Sequence, residues 1–296
     1  MNRKEWAERL GRVSVWSGEF GRLSVAEGQA YARTLEQLGV RSLWLPEGNR
    51  DVFVMGSLLL GATERLTFAS SIASIYSRDE TATLQGQKTL QLAFPGRFLL
   101  GLGVSHRPMV TRRGHEYGPP VPLMRAYLNA LDNARPASAD WDDSRILAAL
   151  GPQMLRLSAE RAIGANPYFV PVAHTKLARA TLGPDALLAV EQAAVLTTDP
   201  TVGRTVARRY AKVYLAAENY TRNLVRLGWD AKELAGEASD ALIDAVVVHG
   251  DAAAIGARID AHLAAGADTV NLQLVPVEPT GFAIEDWKKV APTVLR

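Results

Sequence analysis

The sequence predicts an α/β fold, a (β/α)8 TIM barrel with helices inserted between strands 7 and 8. Short apolar runs alternate with helical segments from residue 13 onward, the rhythm of parallel strands joined by crossover helices. The strand candidates number eight, which favours a closed barrel over an open doubly wound sheet. No internal repeat, low-complexity tract or Ser/Gly-rich linker interrupts the chain, so residues 1–296 read as a single domain.

Val13-Ser14-Val15-Trp16 opens the series, and Ser24 with Glu27 three residues on has the spacing of a capping box at the start of the next helix. Gly39 stops that helix, Ser42 to Leu45 is the second strand, and Asp51 to Gly61 is a short apolar helix. Leu66 to Ile72 is the third strand and Thr81 to Phe94 its helix. Pro95 and Gly96 end that helix, and the apolar run from Phe98 to Leu102 is short enough for a fourth strand buried on both faces. A Gly-, Pro- and Arg-rich loop spans His106 to Pro120, a helix runs from Val121 to Asn133, and a small acidic loop covers residues 136–144. Ile146 to Leu150 is the fifth strand and Gln153 to Ile163 a helix. Pro167 to Val170 is the sixth strand, His174 to Leu182 a helix, and Leu187 to Leu196 contains the seventh. From Pro200 to about Val247 the pattern is helical for longer than one crossover needs, hence the insertion. Ala252 to Ala264 and Thr269 to Leu274 supply the last helix and strand.

Composition narrows the function classes. With 48% hydrophobic and 22% charged residues the chain reads as a packed globule. The 33 basic and 31 acidic residues are interspersed, giving a net charge of +2 and no basic stripe, so a nucleic-acid partner is not expected. The absence of cysteine excludes disulfides, thiolate metal sites and a cysteine nucleophile, and is compatible with a reducing compartment. The N-terminal residues mix acids and bases without the apolar core of a signal peptide, and no run approaches the ~18 apolar residues of a membrane span. A cytoplasmic protein with no membrane contact is the expectation.

In a barrel the active site sits at the carboxyl ends of the strands. The residues there are Trp16 and Ser17; Pro46, Glu47 and Asn49; Ser70 and Ser71; Gly103, Ser105 and His106; Gly151 and Pro152; Val170 and His174; Gln192; and Gln273. They include neither a close carboxylate pair nor a His-rich cluster, so no metal is expected. The set suits a site that holds a cofactor. Gly101-Leu102-Gly103 lacks the third glycine of a dinucleotide motif, and no Walker-type lysine is near. Gly103 and Ser105, being bare or small, would let a flat ligand approach the backbone.

Leu43-Trp44-Leu45-Pro46-Glu47, Ala69-Ser70-Ser71-Ile72, Phe94 to Val104 and Tyr117 to Leu128 resemble the bacterial luciferase-like monooxygenase superfamily. There the fourth strand follows a G-R-F-x-L-G-x-G pattern. The next helix carries P-x-x-x-M-R-x-Y, matched here by Pro120, Met124, Arg125 and Tyr127 with one helix position shifted. Asn166 to Val170, His174-Thr175, Asn219-Tyr220 and Asn223 are similar to a subgroup of deazaflavin (coenzyme F420)-dependent oxidoreductases.

The resemblance implies hydride transfer between coenzyme F420 and a small-molecule substrate. The alternatives are an FMN-dependent monooxygenase served by a separate reductase, or a non-catalytic flavin-binding paralogue. It also implies a homodimer and a non-prolyl cis peptide at Ser71-Ile72 beneath the ring. Glu47, Ser70, Ser71, Ile72, Gly103, Val104 and Ser105 correspond to positions around that ring, and Ala149, Leu150, Gly151, Met154 and His174 to the phosphate side. A helix N-terminus suits that anion. Glu47 and His106 are the catalytic candidates. The alternative readings are an acid complementing a helix dipole for Glu47, a loop histidine bonded to backbone for His106 and an ordinary helix N-terminal residue for His174. Trp16 and Trp44 read as core. The sugar-phosphate dehydrogenases of this family place a histidine just after the second-strand acid, where this chain has Gly48, which argues against sugar-phosphate oxidation by that route.

Overall fold

The strands are β1 (Val13–Trp16), β2 (Ser42–Leu45), β3 (Thr67–Ser70), β4 (Ala73–Ser74), β5 (Phe98–Gly103), β6 (Arg145–Leu147), β7 (Gly164–Ala165), β8 (Leu187–Leu196), β9 (Val247–Gly250) and β10 (Thr269–Leu274). They come from a computed structural model that describes every residue except 137–140 and 280. All pairings are parallel, in the order β10-β1-β2-β3-β5-β6-β7-β8, and β10 pairs back onto β8 from Thr269↔Ala189 to Leu274↔Ala194. That last ladder closes an eight-stranded barrel.

The helices are α1 (Arg3–Leu10), α2 (Val25–Gln37), α3 (Val52–Leu60), α4 (Glu80–Ala93), α5 (Arg107–Arg112), α6 (Pro120–Ala134), α7 (Pro152–Arg161), α8 (Val172–Leu182), α9 (Pro200–Leu215), α10 (Glu218–Arg226), α11 (Ala231–Leu234), α12 (Asp240–Val246), α13 (Ala252–Ala264) and α14 (Ile284–Val294). The expected capping box of α2 forms: Ser24 Oγ accepts the Glu27 amide, and the Glu27 carboxylate accepts the Ser24 amide. Such a cap stabilises a helix by about 1 kcal/mol.

Two cores result from the alternation of strand side chains. Leu43, Leu45, Phe68, Phe98, Leu100, Val190 and Leu272 point outward into the layer shared with the helices. Trp44, Ala69, Leu99, Ile146, Leu187 and Ala189 fill the barrel interior, with Trp6 and Leu10 of α1 packed against them. Because α1 runs directly into β1, it plugs the amino-terminal end, and Ser42 Oγ bonds the Leu10 carbonyl at 2.9 Å. The opposite end is left for the loops.

Several boundaries differ from the sequence reading. The sixth barrel strand is Gly164–Ala165, not 167–170, because Pro167 has no N–H to give a ladder and Phe169 takes a left-handed φ of 54°. A Cβ on Gly164 would lie 1.8 Å from the Leu187 carbonyl oxygen, so only glycine lets these strands approach. The fifth strand ends at Leu147. The third breaks after Ser70 and resumes as β4, both pieces pairing with β5. The loop from His106 contains α5, and the helical run toward Val247 ends in β9, which pairs with residues 193–196 of β8. Residues 137–140 of the small acidic loop lie outside the described residues.

Candidate active site

The break between β3 and β4 is the centre of the barrel mouth. The peptide bond between Ser71 and Ile72 is cis. The Ser71 amide bonds the Leu45 carbonyl at 2.7 Å, and the Ile72 carbonyl accepts the Glu47 amide at 3.1 Å, so β2 holds the bulge from one side. Ser71 Oγ accepts from Trp16 Nε1 at 2.9 Å and donates to Asn166 Oδ1 at 2.7 Å, while Asn166 Nδ2 donates to the Ala189 carbonyl. One hydroxyl thereby ties β1, the bulge and the segment after β7 together. Trp16 lies in the interior cluster, as expected, and its indole N–H also reaches this hydroxyl.

Glu47 is buried beside the bulge. Its carboxylate accepts the Ser74 amide at 2.8 Å and the Arg78 guanidinium, which also bonds Asp51 at 2.7 Å. Both oxygens are therefore engaged in fixing β4 itself and the chain just after it. Ser70 is fully buried, with its Oγ exchanging bonds with the Gly101 carbonyl and amide at 2.9 and 2.8 Å, so its side chain serves the β3–β5 junction.

The glycines of β5 fit this junction closely. A Cβ on Gly101 would sit 1.8 Å from the Ser70 carbonyl oxygen, and one on Gly103 would sit 2.5 Å from Ile72 Cγ1. The space above Gly103 is thus occupied by Ile72, and the open approach expected there for a flat ligand is not present at that side chain position. Val104 is half-buried against the outer core. Ser105 follows with a left-handed φ of 57°, and its carbonyl accepts the Tyr117 hydroxyl at 3.4 Å.

His106 is half-buried at the first residue before α5. Its ring stands 5.5 Å from Tyr220, with Asn219 beside it. Burial pushes its pKa below the ordinary histidine value, although Asn219 opposes this, so it is neutral at pH 7. The insert helix α10 therefore packs against the loop after β5.

The same helix reaches the β6–α7 turn. Gly151 caps the ten-residue α7, and Arg226 of α10 lies where a Gly151 Cβ would be 3.7 Å from its Nη1. Arg226 is oriented by Asn223 Oδ1 at 3.1 Å. His174 is fully buried, its Nε2 2.9 Å from the Leu150 carbonyl and its Nδ1 without a partner, and burial lowers its pKa. Ala149 and Met154 are buried around this turn. A helix N-terminus and a guanidinium at one turn fit a phosphate.

Between the bulge and α9 lies a network that sequence reasoning missed. Trp16 and Tyr168 rings are 4.9 Å apart, and the Tyr168 hydroxyl is within 2.7 Å of Tyr214, 2.8 Å of Gln273 Oε1 and 3.0 Å of the Tyr210 hydroxyl. Behind it, buried Glu191 accepts the Phe169 amide at 2.9 Å and approaches the Tyr210 hydroxyl at 3.2 Å. The signal available was a lone glutamate in the apolar run of the seventh strand. Gln192, singled out instead, faces outward and bonds His262 at 2.8 Å.

The sequence profile described as luciferase-like monooxygenase matches residues 10–269. The chain belongs to the luciferase-like monooxygenase family. This luciferase-like enzyme is 27% identical over 188 residues to a phthiodiolone/phenolphthiodiolone dimycocerosates ketoreductase of Mycobacterium tuberculosis, covering 54% of this chain and 48% of that one. It thus spans about half the length of that curated relative. In fold it is similar to an F420-dependent secondary alcohol dehydrogenase (TM-score 0.72, 14% identity, 97% of this chain and 99% of that one). It is also similar to the FMN-bound oxygenating constituent of 3,6-diketocamphane monooxygenase from Pseudomonas putida (TM-score 0.67, 12% identity, 96% of each chain). Among the described residues no helix is long and apolar enough to cross a membrane, and no group of three or more His, Asp or Glu could hold a metal ion.

Proposed function

We propose that this chain is an oxidoreductase that transfers a hydride between coenzyme F420 and a small, neutral carbonyl or alcohol. The observation that carries the reading is the clamped bulge at Ser71-Ile72, facing aromatic residues of the insert and flanked by a phosphate-competent turn. The fold shared with an F420-dependent alcohol dehydrogenase and the sequence likeness to a ketoreductase support it.

In this reading the ring rests on the bulge formed by Ser70, Ser71 and Ile72, bordered by Glu47 and by Gly103, Val104 and Ser105. Its phosphate lies at Ala149, Leu150, Gly151 and Met154, where the first free amides of α7 and Arg226 converge, while His174 donates from Nε2 to the Leu150 carbonyl and so holds this turn. When bound, the ring would supply the hydride, which carries both electrons. Glu47 and Arg78 hold β4 so that the bulge keeps its shape. Trp16 and Asn166 fix the Ser71 hydroxyl, leaving it no freedom to follow the substrate. His106, neutral and beside Asn219 and Tyr220, offers a ring nitrogen to the substrate's oxygen and orients it. Tyr168, Phe169, Tyr214 and Tyr220 pack as a near-continuous aromatic cover, with centroids 5.0 to 6.3 Å apart, and exclude water from the reacting face.

Fluorescence titration of the purified protein with coenzyme F420 and with FMN tests the reading. Micromolar or tighter binding of coenzyme F420 is expected, and tight binding of FMN alone would overturn it. A folded Ser71→Leu variant with unchanged cofactor affinity would remove the bulge from the site.

A further inference from the structure

Glu191 lies on the inner face of β8, 1% exposed, and among the described residues no cation bonds or pairs with it. Its surroundings come from every element packed against that face. Phe169 gives a backbone N–H and Tyr168 a phenol from the segment after β7, while α9 contributes Tyr210 and Tyr214, α10 Tyr220, and β10 Gln273. None of these carries a charge at neutral pH. The geometry points to Glu191 as the proton store of the barrel mouth, passing its proton through the Tyr210 and Tyr168 hydroxyls to the oxygen of a carbonyl undergoing reduction. The inference rests on the hydride-transfer reading above.

The donor and acceptor count supports the route. Glu191 Oε2 is taken by the Phe169 amide, so the proton resides on Oε1, the atom facing Tyr210. Each phenol has a single hydrogen. With Glu191 protonated, Oε1–H donates to Tyr210, Tyr210 donates to Tyr168, and the Tyr168 hydrogen points to Gln273 Oε1 or to a substrate oxygen in its place. Tyr214 donates to Tyr168 from the side. When bound, the reduced deazaflavin would give hydride to the carbonyl carbon, and the C=O π pair would move to oxygen. That oxygen takes the Tyr168 proton, Tyr168 takes that of Tyr210, and Tyr210 takes that of Glu191. The products are the alcohol, the oxidised deazaflavin and a Glu191 carboxylate, which recovers a proton from solvent. Burial holds the Glu191 carboxyl protonated up to about pH 8, against an ordinary 4.5, so the store is full at neutral pH. Tyr168 is the exit because its ring lies against Trp16, which bonds the bulge, and beside Tyr220, which meets His106.

Two measurements decide it. Infrared difference spectra of the apo protein, wild type against Glu191→Gln, should show a protonated carboxyl at pH 6.5 that ionises with a midpoint near 8. Tyr210→Phe, which removes a donor to the charged form, should raise that midpoint. A carboxylate already ionised at pH 6.5 overturns the proposal. In stopped flow, with reduced coenzyme F420 prebound and cyclohexanone or benzaldehyde as probe, Glu191→Gln and Tyr168→Phe should each slow single-turnover cofactor oxidation at least tenfold without changing cofactor affinity. Glu191→Gln should also abolish the fall in rate above pH 8, and Glu191→Asp should restore that fall. An unchanged rate and pH profile in Glu191→Gln overturns the proposal while leaving the hydride reading intact. A wild type that binds no coenzyme F420, or oxidises it with neither probe, refutes the hydride reading and this proposal together.

Discussion

Replacing Glu191 with glutamine should make the protein more stable at neutral and alkaline pH while leaving it unchanged in acid. The unfolded chain releases the Glu191 proton at an ordinary value of 4.5, whereas the folded protein keeps it to about 8. Below pH 4.5 both states are protonated and the residue has no effect on pH dependence. Between 4.5 and about 8 the folded state binds the extra proton, so wild-type stability falls as pH rises, by about 1.4 kcal/mol per pH unit. Above 8 both states are ionised and the loss stays constant. Over that window it amounts to as much as about 5 kcal/mol, of which roughly 3 kcal/mol has accrued by pH 7.

Glutamine keeps the geometry without the charge. Its carbonyl accepts the Phe169 amide and its NH2 donates to the Tyr210 hydroxyl, in place of the acid. The difference between the two proteins cancels every other titrating group, including His262, whose pKa burial lowers to about 3. Thermal unfolding followed by circular dichroism from pH 4.5 to 9 reads it directly. At about 2 °C per kcal/mol for a chain of this size, the variant should melt within 1–2 °C of wild type near pH 5, about 6 °C higher at pH 7 and about 10 °C higher at pH 9. Parallel melting curves for the two proteins across this range would refute the reasoning, since they would mean that Glu191 ionises alike in both states.

Two further outcomes follow from the junction and the turn. Gly101→Ala puts a carbon 1.8 Å from the Ser70 carbonyl oxygen, where only backbone could yield; a loss of about 3 kcal/mol or more is expected by urea unfolding, whereas Gly21→Ala, with nothing within 4 Å, should stay within about 0.5 kcal/mol. Arg226→Ala should weaken binding of the phosphate-bearing cofactor about tenfold or more in fluorescence titration, with little change in melting temperature, because it removes one charge-assisted contact at the α7 N-terminus.

The barrel was legible because most of its strands are apolar runs between turn residues, and local pattern is enough to find such runs. What escaped depends on partners distant in sequence. α1 has only Trp6 and Leu10 as buried anchors in a charged octet, and these gain meaning from the interior cluster that they cap. β9 continues the apolar run of α12 without a breaking residue, and only its ladder with Ala193 to Leu196 makes it extended. The sixth strand was placed three residues late because Pro167 to Val170 is the more apolar stretch, while the actual strand is two small residues chosen for close approach to β8. At the site, inward and outward faces were the obstacle. Glu191 and Gln192 are neighbours in sequence, yet one faces the mouth and the other bonds a histidine of α13; which does which is set by the stagger of the closed barrel.

The stretch from Phe98 to Ser105 shows how far a motif can be read without its partners. Two glycines before a small-residue turn suggest a ligand lying on bare backbone at the carboxyl end of this strand. Yet the atoms that need the room are the chain's own: the Ser70 carbonyl at Gly101 and the Ile72 side chain at Gly103. The glycines let β5 run beneath a strand that breaks, turns through a cis bond and resumes, and the break is what presents Ser71 to Trp16 and Asn166. A ring bound here would touch the bulge, with the glycines one layer below. Their absence of side chains therefore acts on the ligand through the backbone that they allow, so an alanine at Gly103 should displace Ile72 before it meets any cofactor.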